Sequence, residues 1–87
     1  MRIWARIFKD NHMLKDHLVV NMSDETRTHK VFNAIEEIAY TFDLPKPIWL
    51  TSNINDFKRN SKVRFYGDSF IEAVPFDYLE VQVIEED

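Results

Sequence analysis

Between Thr26 and Phe42 the apolar residues Val31, Phe32, Ile35, Ile38, Ala39 and Phe42 recur at the spacing of one helical stripe. Lys30, Asn33, Glu36, Glu37 and Thr41 hold the opposite side. The pattern predicts one long two-sided helix over about 26–43. Ser23 or Asp24 can accept hydrogen bonds from its first free amides, and Asp24-Glu25 suits the positive end of its dipole. Asp43-Leu44-Pro45-Lys46-Pro47 ends it, because a proline disfavours helical geometry in the residue before it.

The flanking segments read as strands. Arg2 to Lys9 and Met13 to Met22 are the first two, joined at Asp10-Asn11, residue types that tolerate the positive φ angles of a tight hairpin turn. A regular hairpin about that turn pairs Phe8 with Met13, Ile7 with Leu14, Trp4 with His17 and Ile3 with Leu18. Ile3, Ile7, Leu14 and Leu18 then share one face, and Trp4, Phe8, Met13, His17 and Val19 the other. This register sets Ala5 against Asp16 and Arg6 against Lys15, two awkward pairs; a neighbouring Glu80 would relieve the second. Ile48-Trp49-Leu50 reads as a short extended segment. Thr51 to Asn60 reads as a short helix capped by Ser52 or Asn53, with Ile54 and Phe57 one turn apart. Val63 to Tyr66 is a strand ending at Gly67. Residues 69–73 fit either a hairpin arm or one helical turn opened by Ser69 and Glu72, with the turn favoured. Phe76 to Ile84 is the clearest strand, since Leu79, Val81 and Val83 alternate with Tyr78, Glu80 and Gln82.

The expected fold is α+β, a two-layer sandwich in the order β-β-α-(short helix)-β-β. An antiparallel sheet of three to four strands carries the long helix on one face. The 87 residues suit a single domain spanning 1–87, and the 45% hydrophobic and 14% aromatic content is enough for a core.

Composition narrows the chemistry. There is no cysteine, hence no disulfide framework and no thiolate metal site. Charges interrupt the first ten residues, which argues against a signal peptide, and no apolar run approaches the roughly 20 residues that span a bilayer. The expected location is cytoplasmic, away from the membrane. One glycine leaves no room for a phosphate-binding loop or a dinucleotide fingerprint. His12, His17 and His29 match no metal-ligand spacing, and Ser23, Ser52, Ser61 and Ser69 lie in no nucleophile setting. The acids Asp68, Glu72, Asp77 and Glu80 form no evident pair of the kind that acid–base catalysis uses. No catalytic residue, cofactor or metal is expected.

Two features remain. A sheet with its long helix on one side has a second face, expected to carry Trp4, Phe8, Met13, His17, Val19 and Tyr78. Either residues 44–60, including Ile48 and Trp49, fold over that face, or it is a surface for a partner or for self-association. The candidate interaction residues are Trp4, Phe8, His17, Trp49 and Tyr78. Separately, Lys58, Arg59, Lys62 and Arg64 stand among Phe57, Phe65 and Tyr66, a basic and aromatic mixture that could meet phosphates and bases. A formal net charge of −4 opposes nonspecific attraction of nucleic acid to the surface as a whole.

Four runs carry a resemblance: Ile3-Trp4-Ala5-Arg6-Ile7-Phe8-Lys9, Asp24 to Phe32, Lys46-Pro47-Ile48-Trp49-Leu50, and Phe76 to Asp87. Together they resemble a family of short, functionally uncharacterised bacterial proteins. The resemblance spans almost the whole chain, implies a free-standing protein, and implies no activity, cofactor or catalytic residue. The leading expectation is a small non-catalytic protein-interaction domain that binds itself or another protein. The alternative is a nucleic-acid-binding accessory protein acting through 58–64.

Overall fold

The computed structural model describes residues 1–87. Its elements are β1 (Arg2–Lys9), β2 (His12–Val20), α1 (Arg27–Phe42), α2 (Thr51–Asn60), β3 (Lys62–Phe65) and β4 (Tyr78–Glu85), with a single 3-10 turn at Gly67–Ser69 before β4. The four strands form one antiparallel sheet in the order β2-β1-β4-β3, so the first and last strands lie side by side at its centre. This is the α+β sandwich expected from the sequence.

The hairpin turn forms at Asp10-Asn11, where both residues have positive φ (52° and 65°). The register it starts does not continue. Phe8 pairs with Met13, but Ile7 pairs with Lys15, leaving Leu14 as the extra residue of a β-bulge. Beyond the bulge every β2 side chain changes face relative to the regular hairpin. His17 and Val19 therefore point to the helix side, not to the face shared by Trp4 and Phe8. Leu18 moves to Trp4's side, opposite that residue, and stays exposed, as does Leu14. The shift removes both awkward pairs at once: Ala5 faces His17, and Arg6 faces Asp16 on one side and Glu80 on the other.

Helix α1 begins at Thr26 rather than at Ser23 or Asp24. Thr26 Oγ1 accepts from the His29 amide at 3.3 Å. Ser23 is engaged locally instead, with its amide donating to Asn21 and its hydroxyl accepting from the Glu25 amide. Asp43 ends the helix in the left-handed region (φ 55°), and Leu44 N–H returns to the Ala39 carbonyl at 2.8 Å. The buried stripe differs from the expected one in three places. Ala34 is buried and Phe32 is half-exposed at the rim. Lys30, expected on the wet side, is buried with its ammonium on Asp87.

Helix α2 occupies the expected residues, but its first turn is organised by Asn53 from inside the helix. Asn53 Oδ1 accepts from the Leu50 amide at 2.9 Å and from Ser69 Oγ at 3.2 Å, while Nδ2 donates to the Arg64 carbonyl at 3.0 Å. One buried amide thus ties α2 to β3 and to the turn after it. Residues 69–73 form neither a strand nor the expected helical turn. The turn lies earlier, and Phe70 and Phe76 from the irregular stretch beyond it enter the core with their rings 5.7 Å apart.

The core fills the helix side of the sheet. Ile3, Ala5 and Ile7 of β1, Leu79, Val81 and Val83 of β4, and Val63 and Phe65 of β3 meet Val31, Ala34, Ile35 and Ile38 of α1. Fully burying each larger side chain contributes about 1.5–3 kcal/mol relative to leaving it in water. Trp49 is packed here too, edge-on against Phe65 at 5.0 Å and Phe57 at 5.5 Å. Residues 44–60 therefore close the helix layer. They do not cover the reverse of the sheet, so the first of the two arrangements expected for this segment is not the one that forms.

Candidate interaction face

The reverse of the sheet is built in three rows that run across the strands. The register of the four strands dictates the rows, because directly opposed residues share a face. The middle row is Asp16, Arg6, Glu80 and Arg64, alternating acid and base from β2 to β3. Above it run Leu18, Trp4, Gln82 and Lys62. Below it run Met13, Phe8 and Tyr78, extended by the Tyr66 ring 5.4 Å from that of Tyr78.

Glu80 is the pivot. Its carboxylate is almost fully buried, accepting from Arg6 on one oxygen and from Arg64 Nε at 2.8 Å on the other. Arg6 also donates to Gln82 Oε1 at 2.9 Å. A buried carboxylate is tolerable here because charge-assisted hydrogen bonds replace the water it has lost. The hydrogen bond to Glu80 is also the main reason the Arg64 guanidinium is held more firmly protonated than usual, with the neighbouring Tyr66 adding to it. The Arg6 Nε alone is buried without a partner.

Rings lie against both arginines. The Arg6 guanidinium lies 4.0 Å from the Trp4 ring centre, and Arg64 lies 4.7 Å from that of Tyr78. Phe8 and Tyr78 stack at 5.1 Å with 26° between their planes. Trp4 Nε1 donates to Asp16 at 3.0 Å, which ties the upper row to the middle one. The result is an ordered surface of rings beside paired charge. Exposed Leu18, Val20 and Met13 lie along its β2 edge, and no helix packs over it.

Of the five sequence-chosen interaction residues, the structure brings together Trp4, Phe8 and Tyr78. His17 is on the other side, with Nε2 at 2.7 Å from Glu37 of α1 and its ring edge-on to Phe42. Trp49 belongs to the helix layer. The four basic residues are divided: Lys62 and Arg64 stand on this face, while Lys58 and Arg59 occupy the last turn of α2, where cations suit the dipole. Sequence reasoning already placed Arg6 on this face but opposite Lys15; it missed Leu18 and Asp16, because both reach the face only through the bulge at Leu14.

No group of three or more His, Asp or Glu side chains is placed to hold a metal ion. No helix is long and apolar enough to cross a membrane. The chain matches no protein-family model, no curated protein and no solved structure.

Proposed function

We propose that this chain is a small, non-catalytic cytoplasmic interaction protein whose docking surface is the bare sheet face and whose partner on that face is a second copy of itself. The observation that carries the reading is the alternating middle row. A two-fold axis lying in the interface along the strands reverses the row. The exposed ends of the row then meet, Asp16 of one copy against Arg64 of the other, while Glu80 stays buried between its own two arginines. The same operation sets aromatic row against aromatic row and keeps the two sheets aligned, the usual geometry of sheet-on-sheet packing. The ring and arginine content also matches the side chains enriched at interface centres. A sheet of this width and length offers on the order of 500 Å² in projection. A standard interface takes about 800 Å² per partner, so a weak dimer is the expected strength.

Sedimentation velocity tests the reading. The wild type should sediment faster as concentration rises, while Trp4→Glu, Tyr78→Glu and Asp16→Lys stay monomeric with an unchanged fold. If the Trp4 and Tyr78 variants unfold, those rings are core and the reading fails.

One observation favours nucleic acid as a second reading: Lys62 and Arg64 share a face with Tyr66 and Tyr78. It ranks lower because Arg64 is committed to Glu80, and Lys58 and Arg59 are elsewhere. Anisotropy with a single-stranded oligonucleotide at low salt decides it. Salt-sensitive binding lost in Lys62→Glu would replace the dimer reading.

A further inference from the structure

On the opposite side of the molecule, residues of α1, α2 and the segment between them line an open groove of about 320 Å³. Phe32, Trp49, Ile54 and Phe57 form most of its apolar lining, with Arg27 and Lys58 at its edge. Phe32 and Ile54 are substantially exposed there, although Phe32 sits beside the packed Trp49 ring. The rings meet edge to face: Phe32 to Trp49 at 6.4 Å, and Trp49 to Phe57 at 5.5 Å. Such a frame takes a flat apolar group, since a further ring can continue the edge-to-face pattern.

Charge narrows the occupant. Arg27 is neutralised by Glu86, with both bonds at 3.2 Å, and is steadied by Ser61 Oγ at 3.2 Å and by the Phe57 ring. Lys58 faces the groove without an acid of its own, opposite the amino-terminal turn of α1 that carries Arg27 and Thr28. The groove thus has one uncompensated positive charge beside an apolar, ring-lined trough. We infer that it is a binding site for a small aromatic monoanion of the aryl-carboxylate class, its ring against Trp49 and its carboxylate toward Lys58. Apolar lining with few polar anchors, at a volume near the lower end of the usual range, is how small-molecule sites are generally built. This inference is independent of the sheet-face reading, because the two surfaces lie on opposite sides of the sheet.

The test uses the isotope-labelled full chain titrated with 1-naphthoate, and with the neutral 1-naphthamide of the same shape. Trp49 and Trp4 supply one indole N–H signal for each side of the molecule. Expected are saturable shifts at Trp49 with Trp4 unmoved, binding of the amide at least tenfold weaker, and a loss of tenfold or more in Lys58→Glu. Lys58→Gln should fall between the two. Three results would overturn the inference: no saturation, equal binding of acid and amide, or unchanged affinity in Lys58→Glu. Movement of Trp49 with protein concentration alone would also overturn it, since a second copy would then fill the groove.

Discussion

The two sides of the sheet use the same strands for opposite purposes. Along β4, Leu79, Val81 and Val83 are dry and fixed by packing, while Tyr78, Glu80 and Gln82 face outward into a lattice of rings and ions. The inner side derives its order from excluded water, and the outer side from directional contacts that hold without a covering layer. An outer face kept only for solubility would carry unpaired, mobile charge. Here the charge is paired and set beside aromatic carbon, so the surface is already arranged before anything binds, and preorganisation lowers the cost of association.

Substitutions at matched positions test this contrast. The largest effect is expected for Phe65→Ala, which empties a fully buried site on the inner side. It should cost about 3–5 kcal/mol, much of the about 4–13 kcal/mol available to a chain of 87 residues. Phe8→Ala on the outer side should cost only about 1–2 kcal/mol, mainly partial burial and its stacking on Tyr78. Equal losses in chemical denaturation would mean that the outer face is a second core. Next comes Glu80→Gln, which keeps the shape but leaves Arg6 and Arg64 without their shared anion. A cost of about 2–3 kcal/mol is expected, below the usual ~3–5 for breaking a buried pair because Arg64 is half in water. Loss of self-association alongside it would tie the ionic row to docking.

A smaller effect concerns the far end of the chain. Asp87 accepts from the buried Lys30 and from the Met1 ammonium, and those two bonds, Lys30 first, lower its pKa below the ordinary 3.8. A carboxyl with a depressed folded-state pKa adds stability above its unfolded pKa and loses that contribution as pH falls through the folded value. The melting temperature of Asp87→Asn should therefore lie below wild type near neutrality, and the gap should close in acid. A gap independent of pH would show that packing, not charge, is what Asp87 supplies. The smallest effect is expected from deleting Leu14. The rest of β2 should keep its partners, His17 should remain beside Glu37, and stability should change less than in any of the substitutions above.

That bulge also marks where the fold could and could not be read from the sequence. Strong periodicity located α1 and β4, a candidate cap with Ile54 and Phe57 one turn apart located α2, and the Asp10-Asn11 turn was recognisable from residues that accept positive φ. The faces of β2 were not. Met13, Leu14, Leu18, Val19 and Val20 place apolar residues at both parities, so hydrophobicity alone does not choose a register. The charges did hold the answer: a one-residue shift exchanges Arg6–Lys15 for Arg6–Asp16 and takes Asp16 away from Ala5. Trp49 was misplaced for a different reason. A lone aromatic in an extended segment shows no period, and only the arrival of Phe57 and Phe65 around it makes it core. Lys30 likewise reads as a wet helix position until the chain's last residue folds back onto it.

The most direct test of the outer face as the self-docking surface compares the two tryptophans, one on each side of the molecule. Indole N–H resonances would be followed as protein concentration rises from about 10 μM to about 1 mM, a range that covers weak association. The expected result is a progressive shift of Trp4 with Trp49 stationary, the shift being absent in Asp16→Lys. A stationary Trp4 up to the highest concentration, or movement of Trp49 alone, would contradict it.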